Sequence, residues 1–229
     1  MSMSIQQRVI QENNVAVAMI EEGAYDEASY KLCTVFQAYQ NCCENDYENE
    51  VSSACYNKSS ISLDECMTKG HPMSSSIDPD FPFMYSDAIR ISPEIAAAGI
   101  PKHDVSSIML FNLALAYHLS ALDSMNPDAD LRKALHVYEL LYTMQQENEE
   151  NFLCNLMFVL SILNNIGIIH QWRNEDDIAA RCFDKLLSVL MLISSNNNSQ
   201  STNNKNEEVV FRGFYRNVIL NRPPCAGAA

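Results

Sequence analysis

Apolar residues return every three to four positions through most of the chain, and strict alternation is rare. That interval is the period of one helix face. It predicts helices over about 5–22, 25–41, 105–124, 129–147, 151–172 and 176–194. A polar low-complexity tract, Ser194–Asn206, then interrupts the pattern. Beyond it, Val210, Phe211, Phe214, Tyr215, Val218 and Ile219 again fall at helical spacing, predicting a last helix over 207–221. The tail 222–229, "RPPCAGAA", is expected to fray.

The stretch 42–103 departs from this pattern. It carries Pro72, Pro79, Pro82, Pro93 and Pro101 together with serine runs. We read it as a long irregular insertion, partly disordered over 42–80, with room for a helical hairpin within 47–69. Inside it, "FPFMYSDAIRIS" alternates imperfectly and suggests an extended segment over 83–91. So much apolar surface should be buried, because each such side chain gains about 1.5–3 kcal/mol on leaving water. The expected seat is against the helices carrying Phe111 and Ile168. There the segment either completes the core or competes with a partner; burial alone requires only the former.

The helical stretches repeat one another. Asn14 is followed 14 residues later by Ala28, then Leu32 and Val35. Asn165 is followed at the same offsets by Ala179, Phe183 and Leu186. A third copy opens with Phe111-Asn112-Leu-Ala114 and closes with Ala134, Tyr138 and Leu141, its extra residues lying around Asp123–Asp130. Each copy reads as two helices joined by a turn. Small residues (Ala16, Ala114, Gly167 and Ala28, Ala134, Ala179) sit where the axes must approach within about 8–10 Å. One such pair cannot bury both faces, so pairs stack, and the final helix covers the open end.

This pattern resembles the tetratricopeptide (TPR) repeat, most closely in "EEGAYDEA" with its Gly23-x-Tyr25-x-x-Ala28 turn. The asparagines before a small residue are similar to repeats of the kinesin light-chain type. The layout also resembles helical-repeat proteins of diatoms and other stramenopiles. The resemblance implies an all-α, TPR-like α-solenoid: a first pair over 1–41, the insertion 42–103, two pairs over 104–194, a polar loop over 195–206 and the capping helix. It also implies an interaction scaffold whose first helices line a groove.

Charge narrows the partner. The formal net charge is −14, which repels phosphate backbones and anionic membranes and leaves a basic or apolar protein or peptide as the better expectation. The N-terminus lacks the apolar core of a signal peptide, and no run of 18 apolar residues occurs, so an intracellular protein is expected.

Chemistry is sparse. Cys33, Cys42, Cys43, Cys55 and Cys66 lack the paired spacing of a structural zinc site, so no metal is expected. No phosphate-binding glycine loop, metalloprotease motif or nucleophile elbow is present. His118 and His136 stand alone on helices, and His170, Trp172 and the acidic run Glu175–Asp177 fit the end of one helix and the start of the next. The expectation is therefore no enzyme and no cofactor. The better candidates are Asn14, Asn112 and Asn165, which share one register, with Phe111 beside them. An amide can bind a peptide backbone without reading its sequence, and it can equally bond a neighbouring helix or loop. In the chaperone-binding members of the resembled family, basic residues clamp a terminal carboxylate. Here that role would fall on Asn13, Ser161 and Asn165, none of them basic, which argues against an acidic C-terminal ligand. The alternative function is a small-molecule sensor or divergent enzyme with a pocket between insertion and groove.

Overall fold

The computed structural model describes residues 3–47, 63–68, 82–147, 149–196 and 205–221. Among them there is helix and no strand. The chain divides into two compact units, Met1–Gly70 with Ala88–Val137, and His71–Asp87 with Tyr138–Ala229.

The first unit contains α1 (Ile5–Glu21), α2 (Tyr25–Tyr47), α3 (Leu63–Thr68), α4 (Pro93–Ala98), α5 (Lys102–Asp123) and the start of α6 (Asp128–Gln146). Ser4 caps α1: its hydroxyl accepts from the Gln7 amide while the Gln7 side chain accepts from the Ser4 amide. Gly23, at φ 83°, ends the hairpin between α1 and α2, a left-handed turn that glycine enters freely. α1 packs on α2 and α5, and α2 also packs on α5. The core includes Ala16, Val17, Ala28, Leu32, Ile108, Phe111 and Leu115. α5 is apolar on nearly all sides, as a helix surrounded by others must be. By length and composition it could cross a membrane, but 72% of the relevant window is buried inside the protein.

The second unit contains the rest of α6, α7 (Glu149–Cys154), α8 (Leu156–Trp172), α9 (Asp176–Asn196) and α10 (Lys205–Leu220). α8 is its centre and touches α7, α9 and α10. Gly167 lies against the ring of Phe183, so close that a Cβ would come within 2.8 Å of it. The hairpin from α8 to α9 turns at Asn174, φ 57°, and repeats the α1–α2 turn. Arg173, Asn174 and Glu175 amides bond to Ile169, Gln171 and His170 carbonyls, as Glu22, Gly23 and Ala24 amides bond to Ala18, Ile20 and Met19. Asparagine tolerates the left-handed region better than other side chains, so it can stand where the first hairpin has glycine.

Several expectations need correction. The single helix expected over 151–172 is two, because Asn155 (φ −120°, ψ 38°) leaves helical geometry and its buried amide meets Gln145. α2 runs to Tyr47, six residues into the expected insertion. The insertion also holds α4, which has Ser92 as N-cap, Pro93 in its first turn and left-handed Gly99 at its end. The hairpin expected within 47–69 falls largely outside the described residues, which include only α3 there.

Candidate functional site: two asparagine clamps

Residues 82–92 form neither helix nor ladder. Their burial alternates at each end of the run: Phe83 and Tyr85 are buried around Met84, and Ile89 and Ile91 around exposed Arg90. Buried main chain without a sheet partner must find hydrogen bonds elsewhere. Here asparagine side chains supply them.

In the second unit, the Tyr85 amide donates to Asn165 Oδ1 at 3.0 Å, and Asn165 Nδ2 donates back to the Tyr85 carbonyl at 2.9 Å. The Phe83 amide donates to Asn217 Oδ1 at 2.9 Å, and Asn217 Nδ2 returns a bond to the Phe83 carbonyl at 2.6 Å. Asn164 links the two. It donates to the Phe83 carbonyl and to Asn165 Oδ1, and accepts from Asn217. Asn165 Nδ2 also donates to the Tyr138 hydroxyl at 3.0 Å.

The first unit repeats this arrangement. The Ile91 amide donates to Asn14 Oδ1 at 2.9 Å, and Asn14 Nδ2 donates to the Ile91 carbonyl at 2.7 Å. Asn112 holds Ile89 in the same way, at 2.7 and 2.8 Å. Asn13 is the link, donating to the Ile89 carbonyl and Asn14 Oδ1 and accepting from Asn112. Each gripped residue in an extended chain points its N–H and C=O to one side, so one carboxamide imitates the edge of a neighbouring strand.

Side chains complete each clamp differently. Phe83 meets Phe214 edge-on at 5.5 Å, and Tyr85 stacks on the same ring at 6.4 Å. Gly213 makes room, because a Cβ there would lie 2.3 Å from the Phe83 ring. One turn of α10 thus supplies a gap, an aromatic platform and, at Asn217, an amide. In the first unit the gripped residues are aliphatic, and Arg90 between them pairs with Glu21 at 2.8 Å and donates to the Asn14 carbonyl.

The three asparagines singled out by register therefore each bond to backbone of residues 85–91, on α1, α5 and α8. Asn112 and Asn165 are wholly buried and Asn14 is half-buried. Phe111, expected in the groove wall, is instead wholly buried in the core of the first unit, because α5 has neighbours on nearly every side. The register missed Asn217. Its signal was available: Asn217-Val218 repeats Asn14-Val15, Asn112-Leu113 and Asn165-Ile166. α10, expected only to cap, carries a clamp residue.

Other titratable groups serve packing. Burial lowers the His118 pKa to about 3, so the ring stays neutral. Burial likewise raises the Tyr138 hydroxyl well above its ordinary value, opposed by the Asn165 bond, and it stays protonated. His170 Nδ1 meets Glu175 at 2.5 Å across the hairpin turn, and this hydrogen bond holds the Glu175 carboxyl below its usual range. Among the described residues, no group of three or more His, Cys, Asp or Glu could hold a metal ion. Cys33 lies beside the Tyr117 hydroxyl and Cys66 is buried, while the side chains of Cys42, Cys43 and Cys55 lie outside the described residues. Comparison with models of known families, with curated proteins and with solved structures finds no match to this chain.

Proposed function

We propose that the chain is an intracellular, non-enzymatic interaction scaffold, a TPR-like array that holds extended peptide by its main chain. One observation carries this reading: four asparagine side chains each bond both the N–H and the C=O of a single residue. Such a grip ignores side-chain identity, so preference comes from what lies beside it. Phe214 and Gly213 favour aromatic residues two apart, and the first unit favours aliphatic ones. Proline is excluded at each gripped position, because it has no N–H. The repeated hairpin turn and the Asn-aliphatic register support the TPR-like reading, and the net charge of −14 favours a basic or apolar partner.

The chain's own residues 83–91 occupy the clamps. Burial of Phe83 and Tyr85 alone contributes about 3–6 kcal/mol, so a partner peptide competes with a well-held resident. The test weakens that resident. In Phe83→Ser/Tyr85→Ser, a labelled peptide of sequence Phe81–Ser92 should bind by fluorescence anisotropy, and should bind poorly to wild type. Adding Asn165→Ala should abolish it. A variant that keeps its helical circular dichroism yet takes up no peptide would reduce the clamps to core packing and sink this reading.

A further inference from the structure

The hairpins α1/α2 and α8/α9 correspond in register, with Asn14 and Asn165 151 residues apart and the same turn bonds. The front of α8/α9 receives a helix, the second half of α6. Tyr138 bonds Asn165 and Gln145 meets Asn155, so α6 runs antiparallel to α8. Its Tyr142 ring lies under the Lys185 ammonium of α9, 5.2 Å away. A cleft of about 320 Å³ remains, bordered on the hairpin by Leu163, Ile166, His170, Ile178, Arg181, Cys182 and Lys185.

At the same offset, the first hairpin places Glu12, Val15, Met19, Glu27, Tyr30, Lys31 and Thr34. All but Val15 line a cavity of about 720 Å³, and the described residues lining it all belong to α1 or α2. Among the described residues, none from a third helix lines this groove. Ile5 and Tyr30 on its rim are 54% and 76% exposed. Its floor is apolar, with Val9 and Tyr39 buried beneath.

The geometry points to one occupant: an amphipathic helix of a partner protein, docked antiparallel to α1 as α6 docks on α8. The groove also carries polarity. Lys31 is neutralised by Glu12 at 2.7 Å. Arg8 at one end and Glu27 at the other form no ion pair among the described residues. An antiparallel helix brings its C-terminal end to Arg8 and its N-terminal end to Glu27. The partner therefore carries a basic residue early, an acidic residue late and an apolar stripe between them. Its positions i, i+3, i+4 and i+7 face Val9, Val35 and Ala38. This surface is separate from the asparagine clamps.

The probe is a fluorescein-labelled peptide of sequence Leu131–Glu147, which copies the helix filling the equivalent groove, with Lys133 early and Glu147 late. Anisotropy with the full chain should show saturable binding. Tyr30→Glu and Ala38→Glu, at exposed positions, should each weaken it about tenfold or more without moving the melting temperature. Arg8→Glu should weaken it, and a peptide with Glu147→Arg should restore it. Arg181→Glu, at the position equivalent to Tyr30, should change nothing. Absence of binding to wild type, or binding indifferent to Tyr30→Glu, overturns the inference. So does binding that appears only when residues 48–62 are deleted, which makes the occupant the chain itself. Concentration-dependent sedimentation abolished by Tyr30→Glu overturns it in favour of a second copy.

Discussion

The hairpins α1/α2 and α8/α9 use one design in two environments. Both turn at a left-handed residue, both carry an asparagine pair and both grip alternate residues of an extended segment. They differ in what surrounds the grip. Asn165 is sealed under Tyr138 and serves three partners, whereas Asn14 is half-buried and has no hydroxyl partner among the described residues. Position by position, Leu156, Val159 and Leu163 are buried in α8, while α1 has exposed Ile5, exposed Arg8 and half-buried Glu12. An identical hydrogen-bond pattern is therefore expected to have unequal energetic weight, because an unmade bond is costly only where water cannot replace it.

The widest gap should appear between Asn165→Ala and Asn14→Ala. The first removes the bonds Asn165 makes to the Tyr85 amide and carbonyl and to the Tyr138 hydroxyl in a buried place, at about 1–3 kcal/mol for each, or roughly 3–9 in all. The second exposes a half-buried site to water and should cost about 1 kcal/mol or less. Denaturant midpoints measure both, and equal losses would break the comparison.

The buried histidines give the next contrast. His118 has a folded pKa of about 3 against an ordinary value of 6.5, so the unfolded chain takes up its proton first. Stability should be intact above pH 6.5 and fall as pH drops toward 3. The slope is about 1.4 kcal/mol per pH unit, or roughly 3 kcal/mol by pH 4.5. Glu175 at the other hairpin has a depressed pKa, so its contribution is lost only at lower pH, as pH falls through the folded value. Urea titrations of wild type and His118→Met at pH 7 and 4.5 should show the first loss flattened in the variant.

Gly213→Ala tests the aromatic clamp alone. Its Cβ would collide with the Phe83 ring, so the ring must move off Phe214, at about 2 kcal/mol. Increased hydrogen exchange at 83–85, with 89–91 unchanged, would localise the damage. A silent substitution would mean that the ring is not held there.

The smallest effects concern the turns. Gly23→Ala should destabilise by about 1 kcal/mol, and Asn174→Gly should be neutral or stabilising by a few tenths, since only one of the two turns carries a Cβ at positive φ. Thermal denaturation resolves the sign.

Some of this was readable along the chain, and the reason differs by element. The long helices announce themselves through local apolar period. Asn14, Asn112 and Asn165 stand out because each keeps a fixed distance to the small residue beside it and belongs to a helix with a following partner. Asn217 has no such partner helix after it among the described residues, so its register could not be checked against a second landmark. The Asn155 break is silent because apolar residues keep their spacing through it. α4 carried its signals, Ser92, Pro93 and Gly99, but inside a stretch whose prolines read as irregular.

By itself, the sequence determined the helical class, the places of most of the long helices and the need of the 83–91 segment for cover. Those follow from interactions between residues a few positions apart, which composition and spacing record. Only the tertiary structure decided that the asparagines are already engaged, and by which residues. The Phe83–Asn217 bonds join positions 134 residues apart. A carboxamide gripping main chain leaves no side-chain preference in the residue it holds. Tertiary structure also decided which helix faces are covered. Like hairpins are buried under α6 at one place and, among the described residues, open at another, because burial depends on what packs against a surface as well as on the surface itself.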